Sequence, residues 1–311
     1  MRIATFNVQS LRLRRSESGA RLDGARDGDM PEDLAFDSPA VDRMDRVLTA
    51  AVLRELDADI VALQEVFDQE TLDHFHDVVL TSGGVRPYPH RICIDGNDGR
   101  GLDVAVISRR PLEEVVSHAA LTLMEAGLAV ADAPGADERI FRRDCLLVRA
   151  GELTLFVCHF KAPYPDAEAA WGVRRHEAAA VRWLIERRYA SPEAALWMVV
   201  GDLNEPGDAG RGAARAIAPL VQDFAIDLVA RIPESDRWSF HEPDSGRYSR
   251  PDAMLASPAL AARWPDARPF LVRTGLGGHA ERYAGPRFAG VGQRRPHASD
   301  HAALAIDLPG L

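Results

Sequence analysis

Apolar residues in this chain come in short runs, and most of the runs end on a polar side chain. Ile3 to Val8 has the length and composition of a buried strand. From about Ser10 to Pro39 the chain turns polar, rich in Arg, Asp, Gly and Ser, and reads as a long surface excursion. Val41, Met44, Val47, Leu48, Ala51, Val52 and Leu56 then recur at helical spacing, which predicts an amphipathic helix with these residues inward, followed by the strand DIVALQEV. Further strands are predicted at Leu102–Ile107, Cys145–Val148, Leu153–Phe160, Leu196–Val200, Asp252–Leu255 and Ala302–Ile306. A second long helix is predicted over Ala167–Tyr189, with Val173, Ala180, Val181, Leu184 and Ile185 inside. Neither a fixed-period repeat nor an inter-domain linker interrupts the pattern, so residues 1–311 are read as one domain. Strands adjoin in some places and alternate with helices in others. That mixture suits an α/β (α+β) arrangement of two packed mixed sheets flanked by helices better than a single doubly wound sheet.

Composition narrows the picture modestly. A formal net charge of −10 argues against binding nucleic acid over a broad surface, where phosphate neutralisation supplies much of the affinity. It suits metal binding, because carboxylates are hard oxygen ligands. Cys93, Cys145 and Cys158 lack metal-site or redox spacing, and Cys145 and Cys158 lie in apolar runs, as buried thiols do. The opening MRIATFNV has no signal-peptide character, and nothing downstream is long and apolar enough to span a bilayer, so a cytoplasmic protein is expected.

The candidate chemistry lies where the apolar runs stop. Asn7 follows IATF, Glu65 follows DIVALQ, His159 follows LTLFVC, Asp202 and Asn204 follow WMVVG, and Asp300 and His301 precede AALAI. Each has an ordinary structural explanation when taken alone; Gly-Asp-x-Asn, for instance, is often only a turn. Together they place carboxylates, amides and imidazoles at strand ends, where a rigid scaffold can converge them on one site.

In order, TFNVQS, LQEV, GLDVAVISR, FRRD, CHFK, GDLN, RPDAML and SDH resemble the successive motifs of the endonuclease/exonuclease/phosphatase superfamily. That superfamily includes pancreatic-type deoxyribonucleases, abasic-site endonucleases, neutral sphingomyelinases and inositol polyphosphate phosphatases. The resemblance runs from Asn7 to His301 and implies a four-layered α/β sandwich. It also implies roles. Glu65 matches the main metal ligand, Asn7 its amide neighbour, and Asp300 a further contact to the ion, which for an oxygen ligand set is Mg²⁺ or Mn²⁺. Asp202 matches the base that orients water, Asn204 a donor to a phosphate oxygen, and His159 and His301 the two active-site histidines, with the choice of general acid left open. Asp103 matches a carboxylate that pairs with the first histidine, and Asp252 one near the second. Arg143 matches an arginine that braces the site, with Arg142 the competing choice.

The expected reaction is metal-dependent phosphoester hydrolysis by in-line attack of water. Three readings of the substrate stay open. The leading one is a nuclease-like phosphodiesterase. The second is a phosphomonoesterase or phospholipase-type hydrolase of a small phosphorylated metabolite or lipid headgroup. The third is a catalytically silent protein that binds a phosphorylated partner. Lys161 is placed to reach a substrate phosphate. The segment from Arg263 to His297 carries seven arginines (263, 268, 273, 282, 287, 294 and 295) against Asp266 and Glu281. It is expected to form a basic loop that tracks a polyanion such as nucleic acid, with Arg294 and Arg295 nearest the centre.

Overall fold

A computed structural model describes residues 1–17, 19–27, 38–129, 135–205, 215–243 and 245–311. Among these residues two six-stranded sheets carry the fold. In the first, strands β1 (Arg2–Leu11), β4 (Ile60–Val66), β5 (His90–Cys93), β6 (Asp103–Ser108), β15 (Phe270–Val272) and β16 (Ala303–Asp307) pair in the order β15-β16-β1-β4-β6-β5. The second joins β7 (Glu114–Val116), β8 (Cys145–Ala150), β9 (Leu153–His159), β10 (Trp197–Asp202), β11 (Ile226–Asp227) and β14 (Asp252–Ala256) in the order β11-β14-β10-β9-β8-β7. Both sheets are mixed: β1 runs parallel to β4 and β10 parallel to β9, and other neighbours are antiparallel. Two small ribbons, β2 (Leu13–Ser16) with β3 (Gly19–Leu22) and β12 (Phe240–Glu242) with β13 (Arg247–Ser249), sit outside the sheets.

Side-chain alternation explains the layers. Ile3, Ile60, Ala62, Val104 and Val106 of the first sheet meet Leu155, Val157, Met198, Val200 and Met254 of the second in one buried cluster between the sheets. Intervening residues face outward. Ala4, Phe6, Val61 and Leu63 pack under helix α1 (Pro39–Leu56), and Phe156, Trp197, Val199 and Leu255 pack under helix α2 (Ala167–Arg188). The result is the expected four-layered α/β sandwich.

The register also locates the site. Asn7 shares the parity of Ile3, His159 that of Leu155 and Val157, Asp202 that of Met198 and Val200, and Asp252 that of Met254. All four therefore point into the space between the sheets, at the end where the aliphatic filling stops. Asp202 is registered against His159 on one side and Asp252 on the other, so the three form a row across β9, β10 and β14. Gly201 makes this pairing possible: a Cβ there would lie 1.9 Å from the Cys158 carbonyl oxygen.

Several sequence expectations are corrected. The polar stretch after Ser10 contains the β2–β3 ribbon, while its residues 28–37 lie outside the described ones. Helix α1 begins at its Ser38 cap as a helix, but its first half is rotated from expectation. Met44 and Val47 are exposed, whereas Asp42, Asp45, Arg46 and Thr49 are buried. Backbone carbonyls of the preceding loop must find donors once buried, and Arg46 supplies them. The three cysteines are free and buried. No helix among the described residues is long and apolar enough to cross a membrane.

Candidate active site

Two strand ends face each other across the sandwich. Asn7 Nδ2 donates to Glu65 Oε1 and to Asp202 Oδ2, each at 3.1 Å, so one amide ties a carboxylate of the first sheet to one of the second. Glu65 leaves the regular alternation of β4 because the ladder slips between Gln64 and Val66 and its φ is 66°. That local left-handed turn points its side chain at Asn7 and at the Ser10 amide, which donates to Glu65 Oε2 at 2.9 Å. Asp300 approaches the same place: its amide donates to Gln9 Oε1 at 3.2 Å, and Ser299 Oγ, which donates to the Asn7 carbonyl at 2.7 Å, lies 3.2 Å from Asp300 Oδ1.

On the second sheet the groups differ electrostatically. Burial pushes Asp202 up to about 6, although His301, the Asn204 amide and Asn7 all favour its charged form. Asn204 donates its backbone N–H to Asp202 Oδ1 at 2.8 Å and its side-chain Nδ2 to the Phe160 carbonyl at 3.0 Å. Burial alone would lower the pKa of His301. The neighbouring carboxylates, first Asp252 and then Asp300 and Asp202, overcome burial and hold it well above the ordinary value. His301 Nδ1 lies 2.8 Å from Asp252 Oδ2, which also accepts from Ser239 Oγ at 2.6 Å. His159 is the opposite case. Burial, then Arg143 and His301, depress its pKa well below the usual value. Its Nε2 lies 3.6 Å from Asp202 Oδ2.

The structure thus brings Asn7, Glu65, His159, Asp202, Asn204, Asp252, Asp300 and His301 to one end of the sandwich. It departs from the other expectations at Asp103, Lys161 and Arg295, and of the two candidate arginines it turns Arg143 inward. Asp103 does not pair with His159, whose Nδ1 has no hydrogen-bond partner among the described residues. Instead Asp103 is buried with its own Oδ1 unpartnered, and burial pushes its pKa to about 6 against a hydrogen bond from the Gly96 amide. Of the two arginines in FRRD, Arg143 is the inner one. It is buried, with Nη1 3.1 Å from the Phe160 carbonyl and Nε 3.0 Å from Asp98, while Arg142 is exposed. Lys161 turns its Nζ back onto the carbonyls of Ala162 and Tyr164. Arg295 is not at the surface. Its guanidinium is 0% exposed and is held by Asp42 at 2.8 Å and Asp45 at 2.5 Å, so it cannot meet a substrate.

The rest of the arginine-rich segment follows the same logic. Arg273 donates to the carbonyls of Asp236 and Trp238, and Arg287 to those of Leu276 and Ala280. These side chains tie down a segment with little regular structure. Arg294 is half-buried, and Arg268 and Arg282 are exposed.

The motif reading missed Arg46, Gln9, Ser10, Asp98 and Ser239. The polar residues 42, 45, 46 and 49 at helical spacing were the available signal for Arg46; a polar stripe of that kind is ordinarily a solvated face. Asp202, Asp252 and His301 each bring a potential ligand atom to within 4.8 Å of one another. The His301–Asp252 contact is of hydrogen-bond length, so Nδ1 and Oδ2 already pair, while Asp252 Oδ1 has no hydrogen-bond partner among the described residues.

The comparisons agree with this architecture. A family model described as Endonuclease/Exonuclease/phosphatase family matches residues 4–301. An endonuclease/exonuclease/phosphatase family protein from Leptotrichia buccalis C-1013-b superposes with a TM-score of 0.57 at 13% identity, covering 99% of this chain and 98% of that one. An AP endonuclease from Archaeoglobus fulgidus gives 0.55 at 14% identity, covering 99% of each chain. A mannosyl-6-phosphatase from Bacteroides thetaiotaomicron VPI-5482 gives 0.55 at 12%, covering 99% and 98%. At such identities these likenesses are of fold. No curated protein sequence matches the chain. The family match over nearly the whole sequence, on this sandwich, makes the chain a member of the endonuclease/exonuclease/phosphatase family, hydrolases of phosphoester bonds.

Proposed function

We propose that this protein is a metal-dependent phosphodiesterase of nuclease-like type, cleaving by direct attack of water. The observation that carries the reading is the pair of facing carboxylates, Glu65 and Asp202, joined by the Asn7 amide and flanked by a charged His301 and a neutral His159. The donors around Glu65 are carboxylate and amide groups without thiolates, which fits a hard cation such as Mg²⁺ or Mn²⁺. Glu65, Asn7 and Asp300 would hold that ion, which when bound polarises a phosphoryl oxygen and offsets charge in the transition state.

The remaining steps belong to the side chains. Asp202, with a pKa near 6, is ionised at neutral pH yet basic enough to take a proton from the attacking water. His301, kept protonated by Asp252, gives its proton to the departing oxygen. One ester O–P bond breaks as the new O–P bond forms, and solvent resets both groups. Neutral His159 and the Asn204 amide donate hydrogen bonds to phosphoryl oxygens as their charge grows. Arg143 fixes the Phe160 carbonyl to which Asn204 is anchored.

The diester reading is favoured by cations next to His159. Burial and then Arg143 lower the pKa of both His159 and Lys161; buried Arg143 and exposed Arg100 share Asp98, and Arg100 and Arg142 are the exposed cations there that a flanking phosphate can meet. The phosphomonoesterase alternative is favoured by a different observation: Arg273, Arg287 and Arg295 point inward, which removes much of the expected basic track for a polymer. A silent binding protein is the least favoured reading, because each catalytic position of the motif set is filled. The deciding experiment supplies Mg²⁺ or Mn²⁺ with bis-p-nitrophenyl phosphate, p-nitrophenyl phosphate, plasmid, RNA and phospholipid vesicles. Nicked plasmid or shortened RNA supports the diesterase. Inorganic phosphate released from monoesters alone supports the alternative, and no turnover on any of them supports the silent protein.

A further inference from the structure

The loop that holds the Asn7–Glu65 end is built around one buried guanidinium. Arg46 on α1 is 1% exposed. Its Nη1 donates to the Val8 carbonyl at 2.6 Å, and its Nη2 reaches those of Gln9 at 2.8 Å, Ser10 at 3.1 Å and Gly24 at 2.7 Å. Its Nε donates to the Asp23 carbonyl at 2.6 Å. Only a planar fork of donors can gather carbonyls from both loop segments at once; an ammonium at the same place is a single point. Gly24 is part of the same device, because a Cβ there would lie 2.1 Å from Arg295 Nη2 and 2.4 Å from Asp42 Oδ1.

The backbone under this clamp is strained. Gln9 and Ser10 are consecutive non-glycine residues with φ of 48° and 53°. Such left-handed non-glycine residues are strained and persist only when their surroundings enforce them. What the strained turn achieves is specific. The Gln9 amide donates to Asn7 Oδ1 at 3.0 Å, the Ser10 amide to Glu65 Oε2, and Gln9 Oε1 accepts from the Asp300 amide. One turn thus orients all three of the residues assigned to the ion.

We propose that Arg46 is a positioning residue for the divalent-cation site: by holding the Val8, Gln9 and Ser10 carbonyls, it enforces the left-handed turn whose amides aim Asn7 and Glu65. The inference rests on the assignment of the cation to Glu65, Asn7 and Asp300. Substituting Arg46 leaves every proposed ligand in place, so an effect on the ion must travel through the turn.

The test is calorimetric titration of Mn²⁺ into the full chain, without substrate, for wild type, Arg46→Lys, Ser10→Gly with Arg46→Lys, and Glu65→Gln. Arg46→Lys is expected to weaken Mn²⁺ binding per folded molecule by about 10- to 100-fold, the range typical of residues that orient metal ligands. Ser10→Gly, which accepts positive φ without strain, is expected to recover part of that loss. A merely structural arginine would lower Tm while leaving the affinity of the folded fraction unchanged, and that result overturns the proposal. Loss of affinity in Glu65→Gln alongside wild-type affinity in Arg46→Lys overturns the role of Arg46 and keeps the cation assignment. Wild-type affinity in Glu65→Gln overturns the assignment itself. A second measurement needs no variant: Mn²⁺ is expected to slow hydrogen exchange at the Gln9 and Ser10 amides, and unchanged exchange on saturation overturns the proposed coupling.

Discussion

Replacing Asp252 with Asn separates the two histidines most sharply. The substitution keeps the shape of the site and the Ser239 contact but removes the charge that holds His301 protonated. A hydrogen bond to a charged group contributes about 1.5–3 kcal/mol, so if it is fully expressed in the transition state its loss slows the reaction by about 10- to 150-fold. Removing the imidazole altogether, as in His301→Ala, costs the larger range of about 10²–10⁴-fold expected of an acid–base group. The sign of the pH effect follows from the causes of the shift. Burial lowers the pKa of His301 and Asp252 raises it, so without that charge the pKa falls and the alkaline limb of kcat/KM moves to lower pH. His159 is neutral and makes no such pair, so His159→Ala is expected to lower kcat without moving that limb. The assay compares a substrate that has a poor alkoxide leaving group with bis-p-nitrophenyl phosphate. Nitrophenolate departs without a proton, so the Asp252→Asn and His301→Ala losses should shrink on it while the His159→Ala loss persists. Melting curves on the same preparations exclude unfolding as the cause. Equal losses on both substrates, or an unmoved alkaline limb in Asp252→Asn, would refute His301 as the acid.

Three further outcomes are expected. Glu65→Gln should abolish hydrolysis chiefly by weakening the cation; equal calorimetric Mn²⁺ affinity in wild type and variant contradicts this. EDTA should inactivate reversibly, with Mg²⁺ or Mn²⁺ restoring activity better than Zn²⁺, since the donor set is oxygen-rich; best recovery in Zn²⁺ assigns the wrong metal. Arg294 and Arg295 should behave differently although they are adjacent. Arg294→Ala should raise KM on a polyanionic substrate and flatten its salt dependence, whereas Arg295→Ala leaves Asp45 buried without its salt-bridge cation and Asp42 with Arg26 alone, and should cost about 3–5 kcal/mol of stability. Denaturant titrations and salt-dependent kinetics on both variants check the contrast, and an Arg295→Ala protein of wild-type stability contradicts the buried pair.

Much of the site was legible in the chain because its residues lie on strands. Alternation with period two fixes which side chains enter the space between the sheets, and the end of an apolar run marks where that space becomes polar. Asn7, Glu65, His159, Asp202, Asn204, Asp300 and His301 could therefore be singled out from where the apolar runs stop, and the ordered motifs joined them to one another and added Asp252. Periodicity could not say which stripe of α1 turns inward. Met44 and Val47 carry the apolar signal but are exposed, because buried carbonyls of the preceding loop required Arg46 more than the core required two further side chains. The same limit applies to charge. Arginines 273, 287 and 295 read as a basic surface in sequence, yet each is held by backbone carbonyls or buried carboxylates contributed elsewhere in the chain. Whether a cation faces solvent or a partner depends on contacts that only the folded chain supplies. The choice of Arg143 over Arg142, the absence of an Asp103–His159 pair and the opposite protonation of the two histidines were decided in the same way, by which groups the sandwich brings within hydrogen-bonding distance and which it leaves buried alone.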